Sequence, residues 1–196
     1  MGLGLGGDTL KSTAEDLLFN RALPLNSYKT SHFTLDKDSP NALVMQTSIG
    51  QGNTLVSPMH MALITSAIAN DGVLMKPTMI DKIVNNSGDT VRETEKTEYK
   101  RLMTRNEANI LGKLMKNVVE NGTASALNGR GYTVAGKTGS AEFDENGSSH
   151  SWFIGYSNVD DPDLVVAIIV ENGGTGSEAA VPIAEQIFDA YYYDKQ

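Results

Sequence analysis

Cysteine is absent from this chain. That excludes disulfide staples, thiol nucleophiles and thiolate-bound metals, and leaves the redox compartment open. Basic residues are scarce: 16 Lys and Arg stand against 24 Asp and Glu, a formal charge of −8, with a pI near 4.8. No basic stripe is available to displace counterions from phosphates, so no nucleic-acid partner is expected. Apolar runs of about 18 residues, the length of a membrane span, are also missing. The opening Met1-Gly-Leu-Gly-Leu-Gly-Gly7 has neither the basic start nor the apolar middle of a secretory leader. As written, the chain carries no anchor or signal. Histidine is rare too, and His32, His60 and His150 lack the spacing of metal ligands, so each reads as a surface or core residue.

What the chain does have is enough apolar content, 40% of 196 residues, for one good core. The expectation is a single domain over residues 1–196 without internal repeats. Ser12-Thr-Ala-Glu15 is a capping-box pattern that predicts a helix near 9–19, and Pro24 and Pro40 punctuate a long loop from 20 to 41. Ser57 as N-cap and Pro58 at the first helical position open a helix burying Leu63, Ile64, Ala67 and Ile68, which Asn70-Asp71-Gly72 stops. Residues 78–84 and 90–94 flank a polar turn and predict a solvated hairpin rich in charges of both signs. Thr104-Arg-Asn-Glu107 caps another helix, with Ile110, Leu111, Leu114, Met115, Val118 and Val119 assigned to the core.

The most informative stretch is Val134-Ala-Gly-Lys-Thr-Gly-Ser-Ala-Glu142. It reads as an edge strand facing a ligand. Gly136 and Gly139 flank Lys137 and Thr138 and would let another backbone approach, while the ammonium and hydroxyl suit a carboxylate. Two further strands follow, Ser151 to Tyr156 and Leu164 to Val170, the latter apolar on both faces. A last helix near 178–193 carries Ala180, Ala184, Ile187, Phe188 and Tyr191 on one stripe. Helix, three strands and helix with short connections predict an α/β (α+β) fold with a mainly antiparallel sheet. Glu142, Asp144 and Glu145 are better explained as an acidic turn than as a catalytic carboxylate pair, and Trp152 and Phe153 as sheet core. Gly50-Gln51-Gly52 lacks the lysine of a phosphate loop.

A lone Lys-Thr-Gly is weak, but its context is specific. Gly136-Lys-Thr-Gly-Ser-Ala-Glu142 followed by His150-Ser-Trp-Phe-Ile-Gly-Tyr156 resembles the third active-site motif and next strand of penicillin-binding protein transpeptidases. Ser48-Ile-Gly-Gln-Gly52, Val56-Ser-Pro-Met-His-Met-Ala62, Ala67-Ile-Ala-Asn-Asp-Gly72 and Val119-Glu-Asn-Gly-Thr-Ala124 resemble the class B, high-molecular-weight branch. The likeness runs from about residue 5 onward. It implies the penicillin-binding, serine β-lactamase-like fold and a serine-type D,D-transpeptidase that cross-links peptidoglycan stem peptides and binds β-lactams. It further implies no cofactor or metal, and work at the outer face of the cytoplasmic membrane with other wall-synthesis proteins, in a membrane-anchored parent.

By motif match, Lys137 supplies positive potential and Thr138 binds the terminal carboxylate. Gly139 lines the substrate, and the Ser140 N–H serves as one of two oxyanion donors. The family's nucleophile motif, Ser-x-x-Lys, does not occur at any serine here. Ser39-Pro-Asn41 matches Ser-x-Asn only formally, in a loop where the family has no catalytic motif. The expectation is an incomplete domain, the C-terminal portion of a transpeptidase, inactive by itself. Hydrolytic relatives (D,D-carboxypeptidase, β-lactamase) and a non-enzymatic β-lactam sensor or degenerate wall-binding module are the alternatives.

Overall fold

A computed structural model describes residues 1–25, 28–143 and 149–193. The chain folds as a three-stranded antiparallel sheet with helices on both faces, preceded by a helical segment and two small two-stranded ribbons. The helices α1 (Gly2–Asp16), α2 (Asn41–Ser48) and α3 (Pro58–Ala69) come first. Four short strands follow: β1 (Val73–Met75), β2 (Lys82–Val84), β3 (Thr90–Glu93) and β4 (Glu98–Arg101), paired β1 with β4 and β2 with β3. Helix α4 (Arg105–Asn121) then leads to the main sheet, β5 (Val134–Glu142), β6 (Ser149–Ser157) and β7 (Leu164–Val170), and α5 (Val181–Tyr193) closes the fold.

Local chemistry accounts for the firmest boundaries. The Ser57 hydroxyl accepts from the His60 N–H at the start of α3, with Pro58 in the first turn. Thr104 and Glu107 form a reciprocal capping box on α4. After α3 the chain reverses through Asp71 (φ 53°) and Gly72 (φ 86°), where a Cβ on Gly72 would fall 2.1 Å from the Met103 carbonyl. Only glycine fits that left-handed approach.

The sheet is in continuous register, Val134 opposite Ser157 through Glu142 opposite Ser149, and Ser151 opposite Val170 through Ser157 opposite Leu164. Strand alternation sends Phe153, Val166 and Ile168 to one face, where they meet Ala180, Val181, Ala184 and Phe188. The other face presents Ala135 and Tyr156 to Ile64 and Ile68 of α3 and Met115 of α4. Both faces of β7 are therefore lined by helices, as its unbroken apolar run predicts.

Several expectations need correction. The first helix spans Gly2–Asp16 with a break at Gly6 (φ 79°, ψ 163°), so Ser12 lies mid-helix and caps nothing. The loop from 20 to 41 ends in a helix the sequence pattern did not reveal, α2, which packs on α1. On α4 the buried residues are Ala108, Gly112, Met115 and Val119, while Ile110, Leu111 and Leu114 face solvent. Ile187 of α5 is likewise exposed, and regular α-helix begins at Val181 after a wide turn at Gly176–Ala180. The 82–84 and 90–93 ribbon is exposed at every position, as its charges predict. Of the acidic turn, Asp144 and Glu145 lie outside the described residues.

Candidate active site

Among the described residues strand β5 pairs with β6 alone, so its other side is a free edge there. In a strand, a residue's N–H and C=O point to the same side and alternate from residue to residue. Two contacts fix which residues look outward. The Lys137 ammonium donates to the Thr138 carbonyl at 2.6 Å, and the Gln51 side-chain amide donates to the Ser140 carbonyl at 3.2 Å. The main-chain polar groups of Thr138 and Ser140 thus belong to the edge, while Lys137 and Gly139 bond within the sheet.

The side chains obey a second alternation. Lys137 and Gly139 point to the α3 and α4 face; Thr138 and Ser140 point to the α5 face. Lys137 and Thr138 therefore do not lie side by side on one surface, and a ligand meets both only by lying along the edge. Lys137 is exposed and folds its ammonium back over that edge. Thr138 is 8% exposed, and its hydroxyl is hydrogen-bonded to the hydroxyl of Thr123, just past the C-terminus of α4.

Gly136 does not leave room for a ligand, contrary to the reading of the motif. A Cβ there would lie 2.3 Å from Cζ of Phe153, and one on its cross-strand partner Gly155 would lie 2.8 Å from the same atom. The two glycines form a bed for the Phe153 ring, which is fully buried. Gly139 is more open, its nearest neighbour being Cβ of Trp152 at 3.3 Å. Below the site, Gly176 lets its turn approach closely, since a Cβ would sit 2.8 Å from both the Gly139 carbonyl and Cβ of Thr138. Ser151 locks that turn: its buried hydroxyl donates to the Thr175 carbonyl at 2.7 Å and accepts from the Ala180 N–H at 3.0 Å.

The remaining candidates fall outside the edge. His60 is a core residue, fully buried against Phe19, its Nε2 2.7 Å from the Leu17 carbonyl. Burial holds its pKa below the ordinary 6.5, with the bond to Leu17 opposing. His150 stacks on Phe143 at 4.3 Å. Ser39 closes a local turn on Asp36 ahead of α2, a structural task that accounts for its place beside Pro40. Phe153 is core and Trp152 half-buried beside it. Among the described residues no group of three or more His, Asp or Glu could hold a metal ion. A groove of about 920 Å³ between α3, α4 and the start of β7 includes none of Lys137 to Ser140. Gln51, Thr123, Ser151 and Gly176 were not singled out from sequence as site residues, although Gln51, Thr123 and Ser151 lie in Ser48-Ile-Gly-Gln-Gly52, Val119-Glu-Asn-Gly-Thr-Ala124 and His150-Ser-Trp-Phe-Ile-Gly-Tyr156, all part of the resemblance.

Comparison with known proteins places the chain among characterised relatives. The family described as penicillin binding protein transpeptidase domain matches residues 2–189. The chain is 33% identical over 178 residues to penicillin-binding protein 3 of Bacillus subtilis, covering 87% of this chain and 25% of that protein. It is 29% identical over 194 residues to the peptidoglycan D,D-transpeptidase PbpA of Mycolicibacterium smegmatis, covering 93% and 39%. Among solved structures, the D,D-transpeptidase domain of a peptidoglycan glycosyltransferase from Eggerthella lenta superposes with a TM-score of 0.84 at 29% identity, covering 99% of this chain and 49% of that one. An imipenem acyl-enzyme of penicillin-binding protein A from M. tuberculosis gives 0.80 at 27% identity, covering 97% and 43%. The chain thus spans 25% and 39% of the length of these two curated relatives.

Proposed function

Because the chain belongs to the penicillin-binding protein transpeptidase family, we propose that it supplies the substrate edge of a peptidoglycan D,D-transpeptidase, and that its nucleophile comes from a Ser-x-x-Lys segment this chain does not contain. The observation that carries the proposal is the free edge of β5, where the Lys137 ammonium and the outward main-chain groups of Thr138 and Ser140 line up along one open strand.

Each group has a role that its placement supports. An extended stem peptide lies along the edge with its terminal carboxylate at Thr138. The Thr138 hydroxyl donates to that carboxylate, which requires Thr123 to be the donor in the bond between the two hydroxyls. Lys137 adds positive potential near the carboxylate and the attacking serine. As the serine oxygen attacks the penultimate D-Ala carbonyl, the Ser140 N–H faces the developing oxyanion, with Gly139 giving the clearance. A preorganised donor of this kind contributes about 3 kcal/mol to the transition state. Collapse expels the terminal D-Ala, and an amine from a second stem peptide takes the acyl group. β-Lactams occupy the same edge and leave a stable acyl-enzyme. The parent acts at the outer face of the cytoplasmic membrane among other wall-synthesis proteins, and the 196-residue chain alone forms no acyl-enzyme.

The test is the acylation rate by labelled penicillin of a protein extended upstream to include a Ser-x-x-Lys motif. Lys137→Ala should slow it at least about a hundredfold. An unchanged rate would remove Lys137, and with it the assigned edge, from the mechanism.

A further inference from the structure

The Ser140 carbonyl is not vacant. Gln51 reaches it across 89 residues of sequence with a 3.2 Å bond to the strand edge. The turn carrying Gln51 is fixed: Gly50 (φ 84°) and Gly52 (φ 81°) set its shape, the Gln51 N–H donates to the Gln46 carbonyl at 3.0 Å, and the Gly50 N–H donates to the Thr47 carbonyl at 3.0 Å. A Cβ on Gly52 would press on Thr47 and Leu43 of α2 at 3.1 and 3.3 Å. The backbone is anchored, so the side chain alone is free to swing.

The position of this bond matters for an incoming strand. In an antiparallel hydrogen-bonded pair, two facing residues exchange both of their N–H···O bonds. A residue whose carbonyl takes the Ser140 N–H therefore presents its own N–H to the Ser140 carbonyl, which Gln51 holds. Strand addition of this sort supplies main-chain bonds along the edge, and the occupant must displace whatever already caps it.

We propose that Gln51 is a clasp on the substrate edge: its carboxamide caps the Ser140 carbonyl when the edge is empty and yields to the penultimate D-Ala N–H of an N-acylated D-Ala-D-Ala peptide. This rests on the reading of β5 as the substrate edge. Gln51 is a positioning residue, and it makes binding selective for ligands that bring a donor at that register, since only those repay the bond they break. A neutral, exposed bond of this length is weak enough to exchange and strong enough to be felt. The clasp also shields an edge that would otherwise invite pairing with other chains.

The experiment titrates the isotope-labelled 196-residue chain with diacetyl-lysyl-D-alanyl-D-alanine and with its analogue N-methylated at the penultimate alanine, following amide resonances. With the parent peptide, the Gln51 side-chain NH₂ signals should shift together with those of Thr138 and Ser140. Gln51→Ala and the near-isosteric Gln51→Met should each bind that peptide roughly fivefold tighter, the effect of removing one competing hydrogen bond. Neither should alter affinity for the N-methyl analogue. Tighter binding is the informative sign, because a merely structural residue weakens binding when removed. Equal or weaker binding by both variants, with β5 still responding to peptide, overturns the clasp and leaves the substrate edge standing. No response of β5 to peptide in any form of the chain overturns the edge itself, and the clasp with it.

Discussion

Gly136→Ala separates two explanations of the glycine that precedes Lys137. If the glycine exists to admit a ligand, alanine there should affect binding and leave folding alone. The structure requires the reverse. The new Cβ would fall 2.3 Å from Cζ and 2.6 Å from Cε2 of Phe153, and 3.0 Å from the Ile154 carbonyl. Phe153 has no exposed surface and is boxed in by Val166, Ile168, Ala180 and Phe188, so the ring cannot step aside. Overpacking of this kind costs about 1–3 kcal/mol. Gly136 does not have a positive φ, so alanine is conformationally allowed and returns about 0.4–1 kcal/mol by stiffening the unfolded chain. The net expectation is a loss of about 1–2 kcal/mol. In a Phe153→Leu background the ring edge is gone, and the same change should become neutral or slightly stabilising. Urea unfolding of the four proteins of this double-mutant cycle measures the coupling directly. A Gly136→Ala loss that is absent in the parent chain, or equal in both backgrounds, would refute the packing argument.

Two other perturbations follow from the same packing. Ser151→Ala leaves the Thr175 carbonyl and the Ala180 N–H without their buried partner, and should destabilise the chain by about 2–4 kcal/mol in urea, with Ser151→Thr recovering part of the loss. Burial keeps His60 neutral in the folded state, with its pKa below 6.5. The unfolded chain therefore binds the extra proton first. Stability from this residue is fully present above pH 6.5 and declines as pH falls below it toward the folded value. Comparing urea midpoints at several pH values for the parent and for His60→Phe should show a flatter acid limb in the variant; parallel curves would rule out this role.

Sequence was most informative where local chemistry decides structure. Ser57 with Pro58, Thr104 with Glu107, and Asp71-Gly72 announce helix ends because the required groups are contiguous in the chain. The three sheet strands were likewise visible, since their apolar runs and separating turns are short. Misreadings arose where long-range packing overrules local pattern. On α4 the large residues Ile110, Leu111 and Leu114 invite assignment to the core. The face that meets the sheet must instead be small at Gly112, because the Tyr156 hydroxyl lies 2.7 Å from where a Gly112 Cβ would stand. Helix α2 buries only Val44 and Thr47, too little periodicity to signal a helix, and it gains its support from α1.

The site shows the same division. Lys137-Thr-Gly was recognisable as an edge strand from residue types alone. That Lys137 and Thr138 project to opposite faces follows from strand alternation, yet their joint use becomes intelligible only once β5 is known to be the edge. The purpose of Gly136 lay in Phe153, a residue 17 positions along that folds back over it. Gln51 gave no local hint of its contact with Ser140, because nothing in a glycine-flanked turn specifies what its side chain will meet 89 residues later.

The most direct test of the division of labour proposed for this chain is intact-mass spectrometry after incubation with benzylpenicillin, beside a protein extended upstream through a Ser-x-x-Lys motif. One penicilloyl adduct is expected on the extended protein and an unmodified mass for the 196-residue chain. A stoichiometric adduct mapped to any serine of the shorter chain would contradict it, for the nucleophile would then lie within these residues.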